Sequence, residues 1–304
     1  MVTEAAYARC LDIAQRHYEN FPVASRLLPR RARPHIAAIY AFARIADDFA
    51  DEGTRSPAAR LALLDDWQGR LHRAVEAPRS EDDSDAAAIF HALGDSIRQC
   101  DLDVQLFDDL LSAFRQDVTV RRYETWDELF DYCRRSANPV GRLVLRVNGY
   151  RDDRLDACSD AVCTALQLTN FWQDLEVDLK KDRLYVPLAE MRAAGADIED
   201  LRRFRLTPEW RRAMEAAGAR TRALFAAGRP VADSVRGRLR WELRATWLGG
   251  MRILDRLAAA GYDVFTARPK LGALDAVVIA GHALVWRAGA TPQPSGPSGP
   301  SRTP

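Results

Sequence analysis

Residues 40–52 read YAFARIADDFADE, and two of their aspartates, Asp47 and Asp51, are four positions apart. On an α-helix this spacing is about 6 Å along the axis and about 40° around it, so both carboxylates project from one face. Like charges so placed destabilise an isolated helix by about 0.2–0.5 kcal/mol, and a solvated acidic face is the simplest interpretation of this motif alone. The aspartates, however, follow Phe42 and interleave with Phe49, which predicts a largely buried helix.

A second acidic motif repeats the spacing in NFWQDLEVD, residues 170–178, with Asp174 and Asp178. These aspartates follow Phe171 and Trp172, so they also extend an apolar helix face. Buried carboxylates need a pairing cation or a metal ion, and neither predicted helix supplies enough cations at matching spacing. We therefore predict that the two motifs face each other and share metal ions.

The predicted metal is Mg²⁺, which takes oxygen ligands and completes its shell with water and phosphate oxygens. Ions held between two acidic pairs would bridge a diphosphate and act as Lewis acids on it as it departs. The carbocation left behind would need a dry pocket, and aromatic faces would stabilise it. The candidate aromatic residues, each of which ordinary core packing explains more simply, are Phe21, Tyr40, Phe42, Phe171 and Trp172.

The composition is that of a globular protein and argues against several classes. The chain has 304 residues, of which 47% are hydrophobic, and its formal net charge of +1 leaves no strong field for nucleic acid. Its five cysteines are odd in number and lack Cys-x-x-Cys spacing, so we expect no disulfide framework and a reducing cytoplasm. No apolar run approaches the roughly 20 residues of a bilayer span, and charges interrupt residues 1–20, which argues against a signal peptide.

Apolar residues follow helical spacing along almost the whole chain, and the alternation typical of strands is nearly absent. We therefore predict an all-α fold, with a single domain over residues 1–290. Residues 291–304 are Pro, Ser, Gly and Thr with almost nothing apolar, which predicts a disordered tail.

Capping and proline signals locate individual helices. Thr3 is the predicted N-cap of the first helix, which runs to about Tyr18; Arg33-Pro34 opens the second, Gly53 ends it, and Ser56-Pro57 begins the third. Further helices are predicted at 160–179, 208–227 and 230–259, with a loop at 180–187.

The signatures of several competing chemistries are missing from the sequence. It has no G-x-x-x-x-G-K-[ST], no G-x-G-x-x-G after a predicted strand, no H-E-x-x-H and no G-x-S-x-G. Of the five histidines, only His17 lies in a stretch that we link to a site, and a lone histidine near a helix end is more often structural.

Three stretches together resemble the squalene and phytoene synthase family: residues 40–51, YCRRSANPVG at 132–141, and LQLTNFWQDLEVDLKKDRLYVP at 166–187. The likeness covers roughly residues 5–285. Together with the first acidic motif, HYENFPVAS at 17–25 is most similar to the bacterial hydroxysqualene synthases of hopanoid biosynthesis. The resemblance implies a single-domain, all-α isoprenoid synthase helical bundle with a central cavity and Mg²⁺ ions on a diphosphate.

The resemblance also assigns roles to residues by position. The implied metal ligands are Asp47, Asp51, Asp174 and Asp178, assisted by Asn170. The implied diphosphate contacts are Arg44, Arg183, Tyr185 and Tyr40, and the implied pocket residues are Tyr132, Gln167 and Phe21. Beside the first-helix histidine, where the family often has small hydroxyl residues, this chain has Tyr18 and Asn20.

The narrower resemblance implies that presqualene diphosphate ionises, its cyclopropylcarbinyl cation rearranges, and water captures it to give hydroxysqualene. No NADPH would be consumed. The implied partners are the isoprenoid diphosphate substrate, the inner face of the membrane as a peripheral contact, and the other enzymes of the squalene pathway.

Three other functions stay open at this point. In the same fold, two prenyl diphosphates could be condensed head to head to presqualene diphosphate, squalene or phytoene. A chain-elongating prenyltransferase fits Asp47-Asp48-x-x-Asp51, but Gln173 precedes a single Asp174 where those enzymes carry paired aspartates. An inactive assembly protein would be expected to have eroded acidic motifs, whereas both are intact here.

Overall fold

The computed structural model describes residues 2–16, 27–76 and 84–287, and within them it is built of helices. The fifteen helices of these ranges are α1 (Val2–Arg16), α2 (Arg33–Asp51), α3 (Pro57–Glu76), α4 (Asp85–Cys100), α5 (Gln105–Thr119), α6 (Trp126–Ser136), α7 (Asn138–Val147), α8 (Asp153–Gln173), α9 (Leu175–Lys180), α10 (Leu188–Ala193), α11 (Ile198–Arg202), α12 (Pro208–Gly228), α13 (Val231–Ser234), α14 (Gly237–Ala259) and α15 (Ala273–Leu284). The β-structure of the described residues is one isolated bridge between Arg122 and Leu184. The predicted all-α class is confirmed.

One hydrophobic cluster joins the first five helices and α7. At its centre Phe42 of α2 is fully buried, with ring centroids 6.0 Å from Trp67, 5.5 Å from Phe107 and 6.1 Å from Phe90. Burying a side chain of this size contributes about 1.5–3 kcal/mol, so this packing fixes the position of α2 in the bundle. The first acidic motif lies at the C-terminal end of that helix.

A second cluster packs α8 against α6, α12 and α14. Close contact between these helices depends on glycine, because a Cβ on Gly228 would lie 2.6 Å from the carbonyl oxygen of Cys158 in α8. Near the other end of α8, the indole Nε1 of Trp172 donates to Thr221 Oγ1 of α12 over 2.8 Å. These contacts hold α8, which carries the start of the second acidic motif.

The predicted starts and stops agree with the structure for the second and third helices. α2 begins at Arg33 with proline in its first turn, the backbone leaves the helix before Gly53 at φ +77°, and Ser56 Oγ accepts from the N–H of Ala59. The predicted cap at Thr3 is wrong, since the first helix begins at Val2. The Thr3 hydroxyl instead lies 3.0 Å from His91 Nε2, so a tertiary contact takes the place of the local one. Tyr18, the predicted end of this helix, lies outside the described residues.

Two predicted long helices are divided in the structure. The helix predicted at 160–179 begins earlier, at Asp153, and is interrupted at Asp174, where α8 ends and α9 begins. The helix predicted at 230–259 is broken between Ser234 and Gly237. The break includes Val235, which is fully buried, so packing into the core outweighs helical continuity there. The predicted loop at 180–187 is confirmed beyond Lys180, the last residue of α9.

All five cysteines are free thiols, which agrees with the prediction of no disulfide framework. Across the described ranges no helix combines the length and the apolar character that a membrane span requires. The predicted disordered tail, 291–304, lies outside the described residues, and the division at residue 290 stays a prediction.

Candidate active site

The first acidic motif is held by a cation of its own helix. Arg44 contacts Asp48 at 2.5 Å and Asp47 at 3.7 Å, one turn along α2. The Asp47 side chain is 46% exposed and lines an open cavity of about 250 Å³. Burial is the main reason that the pKa of Asp47 rises to about 6, although Arg44 opposes the rise. The Asp47 carboxylate is therefore only partly compensated by Arg44, which leaves it able to bind a further cation.

Asp51 connects this motif with the second one. Its carboxylate accepts from Lys181 and forms an ion pair with Arg183 at 2.7 Å. The backbone N–H groups of the same two residues donate to the carbonyl oxygen of Asp178, over 3.0 and 2.8 Å. Burial alone would raise the pKa of Asp51, but the hydrogen bond from Lys181 and the charge of Arg183 outweigh it and lower the pKa. Residues 130 positions apart thus meet, and the cations that neither motif's helix was expected to supply come from the loop after α9.

The second motif is built around the break between α8 and α9. Asp174 terminates α8, and the N–H of Asp178 donates to its carbonyl oxygen over 2.9 Å. The Asp174 carboxylate pairs with Arg268, which follows α14 in the chain. Burial first, and then the charge of Asp174, raises the pKa of Asp178 to about 7. The second motif therefore also has a carboxyl group whose charge is poorly compensated.

Arg183 lies at the junction of the two motifs and is only 8% exposed. One terminal nitrogen donates to the carbonyl oxygen of Asp117 over 3.1 Å, while its buried Nε has no hydrogen-bond acceptor among the described residues. The Nε of Arg44 is also buried and has no hydrogen-bond acceptor among the described residues. Two guanidinium groups with buried, unused Nε donors next to paired carboxylates form a suitable environment for an anion such as a diphosphate.

The sequence reading missed Asp117 and Lys181. Asp117 accepts a hydrogen bond from the Tyr132 hydroxyl over 3.0 Å, and burial is the main cause that raises the pKa of Asp117 to about 7. It lies near the end of α5 in a run without any spacing signal, so only tertiary contact identifies it. Lys181 was visible as a cation just after the second motif, but the sequence could not show that it reaches Asp51.

Aromatic rings cover one side of this junction. Tyr185 stacks on Phe171 with 3.6 Å between ring centroids and 3° between planes, and Tyr132 lies 6.2 Å from both. Burial raises the pKa of Tyr185, so its hydroxyl stays protonated. Of the other aromatic candidates, Phe42 and Trp172 are fully buried in the two core clusters, which agrees with ordinary core packing rather than contact with a substrate.

A large, mainly apolar cavity of about 950 Å³ lies between α8, α14 and α15. Gln167 and Asn170 of α8 are in its wall, whereas Tyr40, Arg44 and Asp47 line the smaller cavity. Ser136 and Val140 line both, so the two spaces adjoin. Tyr132, the second pocket candidate, lines neither cavity and is buried with its hydroxyl on Asp117, and the third, Phe21, lies outside the described residues.

The donor set fits Mg²⁺ bound together with a diphosphate. Within the described ranges, no three His, Cys, Asp or Glu side chains come together as a metal site made of protein ligands alone. Mg²⁺ does not need such a site, because one or two carboxylates plus substrate phosphate oxygens are its usual ligands in enzymes that act on phosphates. Asp47 and Asp51 on α2, with Asp174 and Asp178 at the break, offer such oxygen ligands in two pairs.

The sequence pattern of the squalene/phytoene synthase family matches residues 14–275, and the chain belongs to this family. The predicted resemblance is therefore confirmed. The chain is an enzyme of a family that acts on prenyl diphosphates.

Individual relatives agree with this assignment. A hydroxysqualene synthase of Zymomonas mobilis is 44% identical over 211 residues, which cover 68% of this chain and 67% of that protein. Phytoene synthase 3 of Zea mays is 33% identical over 271 residues, covering 87% and 62%. The crystal structure of squalene synthase HpnC from Alicyclobacillus acidocaldarius is 39% identical and superposes with a TM-score of 0.79 over 86% of this chain and 95% of that one. The predicted isoprenoid synthase fold is thus confirmed.

Proposed function

We propose that this enzyme is a Mg²⁺-dependent hydroxysqualene synthase that converts presqualene diphosphate and water to hydroxysqualene and diphosphate. The main structural support is the meeting of the two acidic motifs at Arg183 and Lys181, beside adjoining cavities. The identity of 44% to a hydroxysqualene synthase supports this choice of reaction within the family.

In this proposal the cations of the site bind the diphosphate. Arg44 and Arg183 offer donors to its oxygens, and Lys181 adds a third positive charge. The carboxylates of Asp47, Asp51, Asp174 and Asp178, with the Asn170 amide, would hold Mg²⁺, which as a Lewis acid stabilises charge on the leaving diphosphate. When the C–O bond breaks, its electron pair leaves with the diphosphate.

The cavity residues control the fate of the carbocation. The cavity of about 950 Å³ has a mainly apolar lining that keeps bulk water away while the cyclopropylcarbinyl skeleton rearranges. Behind the cavity lining, Phe171 stacks on Tyr185 next to Arg183, and the tilted ring of Tyr132 lies 6.2 Å from both, so this aromatic group favours positive charge nearby. One water molecule then adds to the cation through its oxygen and loses a proton to solvent, giving hydroxysqualene without any reductant.

Incubation of the purified enzyme with presqualene diphosphate and Mg²⁺ alone, followed by product analysis, tests the proposal. We expect hydroxysqualene and inorganic diphosphate without NADPH. Recovery of unchanged presqualene diphosphate would refute the proposal.

The alternative within the fold is head-to-head condensation of two prenyl diphosphates, and 33% identity to a phytoene synthase over 87% of the chain supports its consideration. Parallel incubations with farnesyl and geranylgeranyl diphosphate distinguish the two reactions. Formation of presqualene diphosphate, squalene or phytoene there, with no turnover of added presqualene diphosphate to the alcohol, would favour condensation.

We also propose that the enzyme works in the cytoplasm as a peripheral protein at the inner face of the membrane, near other enzymes of the squalene pathway. A thirty-carbon substrate partitions into lipid because each buried CH₂ contributes about 0.8 kcal/mol. Flotation with liposomes tests the membrane contact, and protein that stays with the soluble fraction at low salt would contradict it.

A further inference from the structure

α15 is apolar on two opposite sides. Its inner side, with Ile279 and Ala283, forms part of the wall of the large cavity. On the outer side Leu274 is 82% exposed, Val277 is 70% exposed, and Val285, directly after the helix, is 72% exposed. Positions 274, 277 and 285 fall on one stripe of a helix with 3.6 residues per turn. A contiguous apolar side of a helix is normally covered by a protein core or by lipid, and the outer side of α15 is in neither environment here.

This helix is fixed at both ends. At its N-terminal end Asp275 pairs with Arg252 and, at 2.6 Å, with Arg256, both on α14. After its C-terminal end, the Trp286 indole donates to Asp233 over 2.8 Å, and Arg229 lies 4.3 Å from the Trp286 ring. The outer apolar side is therefore a stable feature of the surface, held in place over the cavity.

Along the chain, the exposed charges that flank α15 are positive. Between residues 264 and 287 the single acidic residue is Asp275, which is 2% exposed and neutralised by its two arginines. Lys270 before the helix and Arg287 after it are exposed. An apolar stripe flanked by exposed cations is complementary to an anionic bilayer, where the side chains enter the acyl boundary and the cations meet the headgroups.

Two other occupants of this surface fit less well. The part of the chain that follows, residues 288–304, is AGATPQPSGPSGPSRTP and has no large apolar side chain to cover the stripe. A second copy of the chain would need about 800 Å² on each partner for a stable dimer, whereas one side of a 12-residue helix is only about 18 Å by 10 Å.

We propose that the outer side of α15 docks on the surface of an anionic lipid bilayer. Because α15 forms part of the cavity wall, this docking would bring that wall into contact with lipid. The biological purpose rests on the proposed function, because a C30 substrate or product would then pass between lipid and cavity beneath this helix. The docking itself is a property of the surface and is tested without substrate.

The test compares three proteins in co-sedimentation with vesicles of phosphatidylcholine, with and without phosphatidylglycerol. The test variant replaces Leu274, Val277 and Val285 together by glutamine, which leaves the net charge unchanged and is a good helix former. The control is Phe204→Asn, which removes an apolar side chain that is 47% exposed and lies outside α15. Asparagine is suitable there because it tolerates the backbone φ of +52° at this position. We expect wild type and control to bind the anionic vesicles, and the triple variant to bind at least about tenfold more weakly.

The outcomes separate the surface from the chemistry. Wild type that fails to bind anionic vesicles, or a triple variant that binds as wild type does, would overturn the proposal. A third contrary outcome is that the wild type is a dimer and the triple variant is a monomer that still binds vesicles. The stripe would then be a subunit interface. Activity on detergent-dispersed presqualene diphosphate, which should be the same in wild type and triple variant, reports on the proposed function separately. If the wild type binds vesicles but does not convert presqualene diphosphate, the proposed reaction is refuted and the proposed docking surface is still supported.

Discussion

The two acidic motifs have the same spacing but different backbones. Asp47 and Asp51 lie on one continuous helix, α2, and Asp47 is paired by Arg44 of that helix. Asp174 and Asp178 lie on either side of a helix break, and Asp174 is paired by Arg268 from a distant part of the chain. A spacing of four residues therefore indicates that two carboxylates are near one another, but the backbone around them decides which charges reach them.

The largest effect is expected when one aspartate is removed from each motif. Asp47→Ala and Asp174→Ala should each lower kcat on the order of a thousandfold, because both carboxylates are proposed to hold the ions that stabilise the leaving diphosphate. Steady-state kinetics with saturating Mg²⁺ measures this. The control is Asp65→Ala, at an aspartate of α3 that belongs to neither motif, is 68% exposed and pairs with Arg115.

A severe loss in one motif and near wild-type activity in the other would break the equivalence of the motifs. It would assign catalysis to the continuous helix or to the break alone. Full activity in both variants would instead show that neither carboxylate holds an ion on which turnover depends.

The next effect concerns the charge of Asp117. Its folded-state pKa of about 7 lies above the ordinary value of 3.8, so this group stabilises the fold below pH 4, and the contribution is lost as the pH rises through 7. Asp117→Asn cannot ionise and keeps an acceptor for Tyr132. Relative to wild type, its stability should rise between pH 5 and pH 8.5 by on the order of 3 kcal/mol, measured by denaturant unfolding at each pH.

The sign of this trend is the decisive result. A stability difference that does not vary with pH would mean that the charge of Arg183 compensates Asp117 fully. The first motif and Asp117 would then not compete for the same cation.

Arg183→Gln tests the residue that joins the motifs. If its guanidinium makes charge-assisted contacts with the diphosphate, the Ki for inorganic diphosphate should rise by about 10- to 150-fold, which corresponds to about 1.5–3 kcal/mol. Competitive inhibition assays give this value. Arg192→Gln, at an arginine whose side chain is 55% exposed and pairs with Glu124, is the control. An unchanged Ki for Arg183→Gln would remove Arg183 from the binding site.

The smallest effect is on the frame of the second motif. Trp172 lies two residues before Asp174, and its buried Nε1–H donates to Thr221. Thr221→Val removes that acceptor. An unsatisfied buried donor costs about 1–3 kcal/mol, so the thermal midpoint should fall while the KM stays within about twofold. Calorimetry and kinetics on one preparation measure both. A large change in KM with little change in the midpoint would show that this contact tunes the site more than it holds the helix.

The sequence predicted the elements that local signals specify. The helical class, the start of α2 at Arg33 and the cap at Ser56 follow from apolar periodicity, proline and hydroxyl positions, each of which acts over a few residues. The α15 helix was not predicted, because a helix that is apolar on two sides has little amphipathic periodicity to detect. The break at Asp174 was also not predicted, since the residues on either side continue a helical pattern.

By itself, then, the sequence determined the family, the helical class and which acidic residues are candidates, because these depend on residue types and short spacings. Only the tertiary structure decided that Lys181 and Arg183 pair with Asp51 and that Asp117 is buried beside Tyr132. It also decided that the apolar helix α15 forms part of the cavity wall. The physical reason is that burial and ion pairing are set by which distant segments pack together, and the charge state of a carboxyl group follows from that packing.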